Sequence, residues 1–167
     1  AEAGKSLDEV AEIGERFNKQ MATLAVAMSG CTHPQNGEPI TVLPDDEMEI
    51  GMGQHGEAGG GRTKILTADE TAARMIEPLV QATGVKAGDT ALLLINGTGA
   101  TTHMEMLIVY RKAAQLLAAK GVKLVSGGCG EYLTVQEMAG FQMILCKLDA
   151  DHAEYLKAKA RAPYWTA

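Results

Sequence analysis

Aromatic residues are nearly missing: one Trp, two Phe and four Tyr in 167 residues. Leu, Ile, Val, Met and Ala must therefore fill the interior, and a core of stacked rings is excluded. Cysteine is also scarce. Cys31, Cys129 and Cys146 are odd in number and show no Cys-x-x-Cys spacing, which argues against a disulfide framework and for a reduced, cytoplasmic chain. No apolar run approaches the roughly 18 residues needed to span a bilayer, so a membrane is not an expected partner. Basic residues are outnumbered, 15 against 21 acidic ones, for a net charge of −6. A nucleic-acid surface would need clustered Lys and Arg, so none is expected. No secretory leader is visible, and the first residue is Ala1 rather than Met.

Glycine, in contrast, is abundant and clustered, with 19 residues. Such clusters mark turns with positive φ or close backbone approach. The length suits a single domain over residues 1–167 with a core of its own. Because the chain opens at Ala1 directly into a helix signal, it reads as a domain cut from a longer protein. Its aromatic, Pro-containing end, Arg161-Ala162-Pro163-Tyr164-Trp165, is expected to pack against another part.

Ser6 and Glu9 have capping-box spacing, and Leu7, Val10, Ile13 and Phe17 recur at helical intervals. A first helix is predicted from Leu7 to Gln20, then a buried strand from Met21 to Met28. Gln35 to Pro39 is a turn. Short strands are expected at Ile40 to Leu43 and at Glu47 to Met52. Gly53 to Arg62 is a loop with five glycines. Asp69 is expected to cap a second helix ending near Gln81. Thr90 to Ile95 is a buried strand, and a third helix covers Thr102 to Lys120 and stops at Gly121. Val122 to Val125 is a strand, Gly127 to Gly130 a turn, and Phe141 to Leu148 the last strand. Asp151 opens a short final helix. Strands and helices interleave without strict alternation. That pattern predicts an α/β, two-layer sandwich: a mixed, roughly six-stranded sheet with helices mainly on one face.

The most unusual segment is Glu49-Ile50-Gly51-Met52-Gly53-Gln54-His55-Gly56-Glu57-Ala58-Gly59. It presents one imidazole at a strand end, flanked by residues without bulk. Imidazole has an unperturbed pKa of about 6.5, so near neutrality much of it is uncharged and can act as nucleophile, base or metal ligand. On spacing alone, a polar loop with one His at a turn is the favoured reading.

This segment resembles the motif Gly-(Met/Leu/Ile)-Gly-Ile-His-Gly-Glu-Pro-Gly of dihydroxyacetone kinase substrate-binding subunits. Further blocks agree in order. Asn96-Gly97-Thr98-Gly99-Ala100-Thr101 resembles Asn-Gly-Leu-Gly-Ala-Thr. Met104-Glu105-Met106 with Ile108-Val109-Tyr110-Arg111 resembles Met-Glu-Leu-Tyr-Ile-Val-Tyr-Arg. Gly130-Glu131-Tyr132 and Met138-Ala139-Gly140 have counterparts as well. The resemblance covers nearly the whole chain and is to the C-terminal half of the subunit, the second domain of a fold shared with DegV-like proteins. It implies that His55 is the catalytic residue that bonds covalently to the ketose as a hemiaminal, with Gly53 and Gly56 leaving room for the ligand. It implies no metal and no cofactor held by this chain. The phosphoryl donor would be ATP or a phosphorylated partner subunit. The expected partners are the N-terminal half of the same subunit, an ADP/ATP-binding helical domain and a second copy forming a homodimer. Two positions depart from the pattern: Gln54 replaces Ile and Ala58 replaces Pro. Gln54 adds hydrogen-bonding capacity that a longer ketose, such as a tetrulose, could use. The upstream motif Gly-Gly-Gly-Ser-Gly-His-Glu-Pro, which supplies the family's acid–base groups, is not in this sequence.

Other signals are read blandly. Ser6 in Gly4-Lys5-Ser6 is a helix cap rather than part of a P-loop. Gly97-Thr98-Gly99 is a strand–helix turn before a phosphate site. Cys31-Thr32-His33 has no matching ligand pair elsewhere. Cys129 is expected to be a small buried thiol, His103 and His152 to be solvated, and the methionines of the third helix to be core. Two functions remain: a ketose kinase subunit, or a ketose-binding sensor that has no catalysis and serves as a co-activator.

Overall fold

Three helices begin at side chains three residues apart in sequence. Ser6 with Glu9, Thr67 with Glu70 and Thr102 with Glu105 each form a capping box in the computed structural model, which describes residues 3–52 and 59–161. The hydroxyl accepts one backbone N–H of the first turn and the carboxylate accepts another, so two donors that helix geometry leaves unpaired are satisfied. These caps open α1 (Leu7–Lys19), α2 (Ala68–Thr83) and α3 (His103–Ala119). The second cap is thus Thr67 and not Asp69, whose carboxylate instead faces Arg111 and Lys112 on α3. α2 continues past Gln81 to Thr83, where left-handed Gly84 (φ 64°) donates to the Val80 carbonyl.

The strands are β1 (Met21–Ala27), β2 (Glu47–Ile50), β3 (Arg62–Lys64), β4 (Thr90–Gly97), β5 (Lys123–Gly130) and β6 (Gly140–Leu148). They form one sheet in the order β3-β2-β1-β6-β4-β5. All neighbours run antiparallel except β4 and β5, which α3 joins as a crossover. The mixed six-stranded sheet with its principal helices on one face matches the predicted sandwich.

Antiparallel partners share a face. Leu93 and Ile95 therefore stand with Leu145 and Met143, and these with Ala22 and Leu24. This face meets Ala72, Met75, Ile76 and Leu79 of α2 and Met106, Val109, Ala113 and Leu117 of α3 in the main core. Met104, by contrast, is 71% exposed, so α3 methionines divide between core and solvent. The second face carries Leu92, Leu94 and Asn96 beside Cys146, Ile144 and Gln142.

Four expectations need correction. Ile40 to Leu43 is not a strand. An isolated bridge, Thr32 with Pro39, forms just before it, and the segment lies against residues 30–31 rather than the sheet. Gly127 to Gly130 belongs to β5. Gly127 has φ 141°, and a Cβ there would stand 1.8 Å from the Leu93 carbonyl oxygen, so glycine lets this strand close on β4. β3, with the polar sequence Arg-Thr-Lys, was not legible as a strand. It forms because the return of the loop hydrogen-bonds to β2 at the sheet edge.

The last correction concerns His152. It lies in α4 (Ala150–Tyr155), which opens at Asp149 rather than Asp151, and it is only 3% exposed. Its Nδ1 is 3.1 Å from Gln20 Oε1 and its Nε2 is 3.3 Å from the Ile13 carbonyl oxygen. The ring meets Phe17 edge-on at 5.2 Å. A ring that fills the α1–α4 contact cannot be a solvated one. No described helix is long and apolar enough to cross a membrane.

Candidate functional site

β2 stops at Ile50 because Gly51 takes φ 89° and turns the chain out of the sheet. The strand predicted to reach Met52 is shorter for that reason. The loop that follows returns at Gly59, and its two ends are joined. Gly60 N–H donates to the Ile50 carbonyl at 2.8 Å, and Gly51 N–H donates to the Ala25 carbonyl at 2.7 Å. A Cβ on Gly59 would lie 2.1 Å from the Gly51 carbonyl carbon, so the neck closes only because both positions are glycine. His55, Gly53 and Gly56, the expected catalytic and substrate-binding residues, lie outside the described residues.

The neck has one further participant. Glu49 is 6% exposed, and its Oε1 accepts the Gly59 N–H at 2.7 Å. Its Oε2 is 3.7 Å from Arg62 Nε. Glu49 pairs with Ala27 across the sheet, on the second face. Sequence reasoning quoted Glu49 as part of the motif and assigned it no role. The available signal was its strand position between Met48 and Ile50, both of which pack toward the main core. Alternation turns Glu49 the other way.

Met52, the residue after the neck, packs with Ala27, Cys31, Leu43 and Met138 in a small second core. Met138 ties this core to the next motif. Its carbonyl accepts Ala100 N–H at 3.1 Å and the Thr98 hydroxyl at 3.2 Å. Thr98 N–H donates to the Gly140 carbonyl, and Gly140 N–H donates to the Thr101 hydroxyl. A Cβ at Gly99 would stand 2.0 Å from the Gln136 carbonyl oxygen. The glycines of this turn therefore admit the 136–140 segment. The Thr98 and Ala100 donors are taken by it, which fits the strand–helix turn rather than a phosphate cradle.

Asn96 is buried and makes four bonds. Its amide nitrogen donates to the Leu133 carbonyl at 2.8 Å and to Gln142 Oε1 at 3.0 Å, and its Oδ1 accepts from Tyr132 and Leu133 N–H. The Glu131 carboxylate lies over Gly97, where an added Cβ would meet its Oε1 at 2.4 Å. The motif blocks at 96–101, 130–132 and 138–140 are thus brought together at one end of the sheet, through backbone pairing that no single block reveals, and Met52 joins them through Met138.

The remaining candidates have structural roles. Ser6 caps α1 and His33 Nδ1 accepts Gln35 N–H at 3.2 Å. Burial pushes the Cys129 thiol up to about 11, away from the thiolate form a reactive cysteine needs. His103 is exposed. Among the described residues, no group of three or more His, Cys, Asp or Glu could hold a metal ion.

Comparison with known proteins adds to this geometry. A model of the Dak1 domain matches residues 1–164. The dihydroxyacetone-binding subunit DhaK of a PTS-dependent dihydroxyacetone kinase of Listeria innocua is 40% identical over 89% of the chain and 45% of its own length. The L-erythrulose kinase of Pectobacterium atrosepticum is 37% identical over 98% of the chain and 28% of its length. Among solved structures, a dihydroxyacetone kinase operon co-activator superposes with a TM-score of 0.85 at 26% identity, covering 95% of this chain and 50% of that one. The chain thus spans half or less of each of these three proteins.

Proposed function

This chain belongs to the Dak1 domain family, and from that premise we propose that it is the ketose-binding part of a dihydroxyacetone-type kinase. His55 is the capturing group. Its Nε2 lone pair adds to the ketose carbonyl carbon, and a C–N bond forms. The carbonyl π pair moves to oxygen, which takes up the proton that Nδ1 releases. The product is a hemiaminal. No water leaves, so release is the simple reverse. Glycerol, which has no carbonyl, is rejected on chemical grounds. The bound ketose keeps a terminal hydroxyl for phosphoryl transfer, a reaction in which fixed placement supplies much of the rate.

The observation that carries this reading is the neck at Gly51, Gly59 and Gly60, held by Glu49 at the root of the motif loop. Such a neck presents the loop from a fixed base without bulky side chains. The acid–base groups for the hydroxyl come from an upstream half of the subunit. The phosphoryl donor is ATP or a phosphorylated partner, carried by a helical nucleotide-binding domain, and the assembled subunit is a homodimer. The substrate is dihydroxyacetone or a tetrulose such as erythrulose. The relative named as an erythrulose kinase and the polar Gln54 both favour keeping the tetrulose.

A second reading, a ketose sensor without catalysis, is supported by the structural likeness to the operon co-activator, which a dihydroxyacetone kinase structure nearly equals, with a TM-score of 0.84 against 0.85. Intact mass of the full-length protein with dihydroxyacetone tests the capture. We expect the mass to rise by one whole ketose, and the rise to vanish in His55→Ala. Equal ketose affinity in the variant overturns the reading. Phosphoryl transfer with a donor subunit separates kinase from sensor.

A further inference from the structure

We propose that Glu49 is a positioning residue for ketose capture by His55, acting by holding the Gly59 amide at the returning end of the motif loop; this rests on the ketose-capture reading above. Glu49 is the one carboxylate among the buried described residues. Burying an anion is costly unless it is hydrogen-bonded and neutralised. Here the partners are a backbone N–H at 2.7 Å and the Arg62 guanidinium at 3.7 Å, both on the returning side of the loop. The outgoing side is fixed separately, by Gly51 on Ala25 and by Met52 in the second core.

The division of labour matters. The Gly60-to-Ile50 bond closes the hairpin, but it lies on the backbone ladder and would form with any residue at position 49. The Glu49 bond reaches one residue further, past the last ladder pair, to the amide nearest the motif. It fixes the direction in which the chain enters the neck. Gly59 cannot shift toward Gly51, because their backbones are already in contact. The carboxylate prevents the opposite movement, away from the sheet. Arg62 both faces the second oxygen of Glu49 and donates to the Val42 carbonyl at 3.3 Å, which joins the neck to the 40–43 segment.

Side-chain reach separates this role from a purely electrostatic one. Gln keeps an acceptor oxygen at the same distance and loses the charge. Asp keeps the charge and retracts it by about 1.5 Å, one carbon–carbon bond. Met matches the length and has no comparable acceptor. The full-length protein is prepared as wild type, Glu49→Gln, Glu49→Asp, Glu49→Met and His55→Ala, with dihydroxyacetone as probe. Thermal unfolding monitors the fold, and amide hydrogen exchange at Gly59 reports the bond directly.

The Gln variant should keep slow exchange at Gly59 and the adduct on His55. The Asp and Met variants should exchange faster and bind ketose about tenfold more weakly, the scale of one lost hydrogen bond to a charged group. Either of these two suffices if the other fails to fold. His55→Ala should lose the adduct and keep Gly59 protected. The proposal is overturned if folded Asp or Met variants match wild type in exchange and affinity, or if Gln is as damaged as they are. If His55→Ala still binds ketose, the capture reading fails alone, and Gly59 exchange still decides the role of Glu49.

Discussion

The two faces of the sheet are built to different standards. Toward α2 and α3, Leu93, Ile95, Met143 and Leu145 are all completely buried. On the other face their neighbours Leu92, Leu94 and Ile144 are only partly covered, Met21 is 36% exposed, and the polar pair Asn96 and Gln142 sits among them. The first face holds the fold together. The second carries the neck of the motif loop, the small core around Met52 and the Asn96 network. Because these features stand on a sheet that is anchored from behind, substitutions there can change the site without unfolding the domain.

The comparison breaks first at Leu93. Leu93→Ala removes a wholly buried side chain between sheet and helices and should cost about 3–4 kcal/mol by cavity formation, read as a lower denaturation midpoint. Asn96→Leu should cost about 2 kcal/mol, since it leaves the N–H groups of Tyr132 and Leu133 without their acceptor. Its effect should be felt locally as well, as faster exchange at those two amides. Leu94→Ser, on the partly covered face, should cost about 1–2 kcal/mol, less than Leu93→Ala, since part of the side chain already meets solvent. A loss at Leu94 equal to that at Leu93 would mean that the second face is as closed as the first.

Acid should act on the helix caps. Bonds from the Thr67 and Thr102 side chains and backbones hold the Glu70 and Glu105 carboxyls below their ordinary value of 4.5. A depressed carboxylate stabilises the folded state above that value, and this contribution is lost as pH falls through the folded pKa. Far-UV circular dichroism should therefore show helix fraying below pH 4.5, smallest at α4, whose Asp149 cap lacks the reciprocal bond.

The sandwich and the starts of α1 and α3 were readable because they depend on periodicity and on residues three apart, whereas the caps of α2 and α4 lie two residues before the expected ones, at Thr67 and Asp149. The three strand errors share one cause. Ile40 to Leu43 looks like a strand and finds no sheet neighbour. Arg62 to Lys64 looks like loop and is a strand, because β2 lies alongside. Gly127 to Gly130 looks like a turn and is a strand, because β4 accepts it. Each depends on a partner far away in the chain. The candidate site divides in the same way. His55 stood out by its glycine surroundings, whereas for Glu49 alternation gives only the face and not the Gly59 and Arg62 groups that meet its carboxylate there.

The sequence by itself determined the helix caps, the apolar alternation and the glycine-flanked imidazole, since these are local chemistry. Tertiary structure alone decided what holds the Glu49 carboxylate, that His152 is enclosed, and that the blocks at 96–101, 130–132 and 138–140 meet at one sheet end. Those outcomes follow from long-range strand pairing, whose hydrogen bonds are made by the backbone and so leave no mark in the side chains.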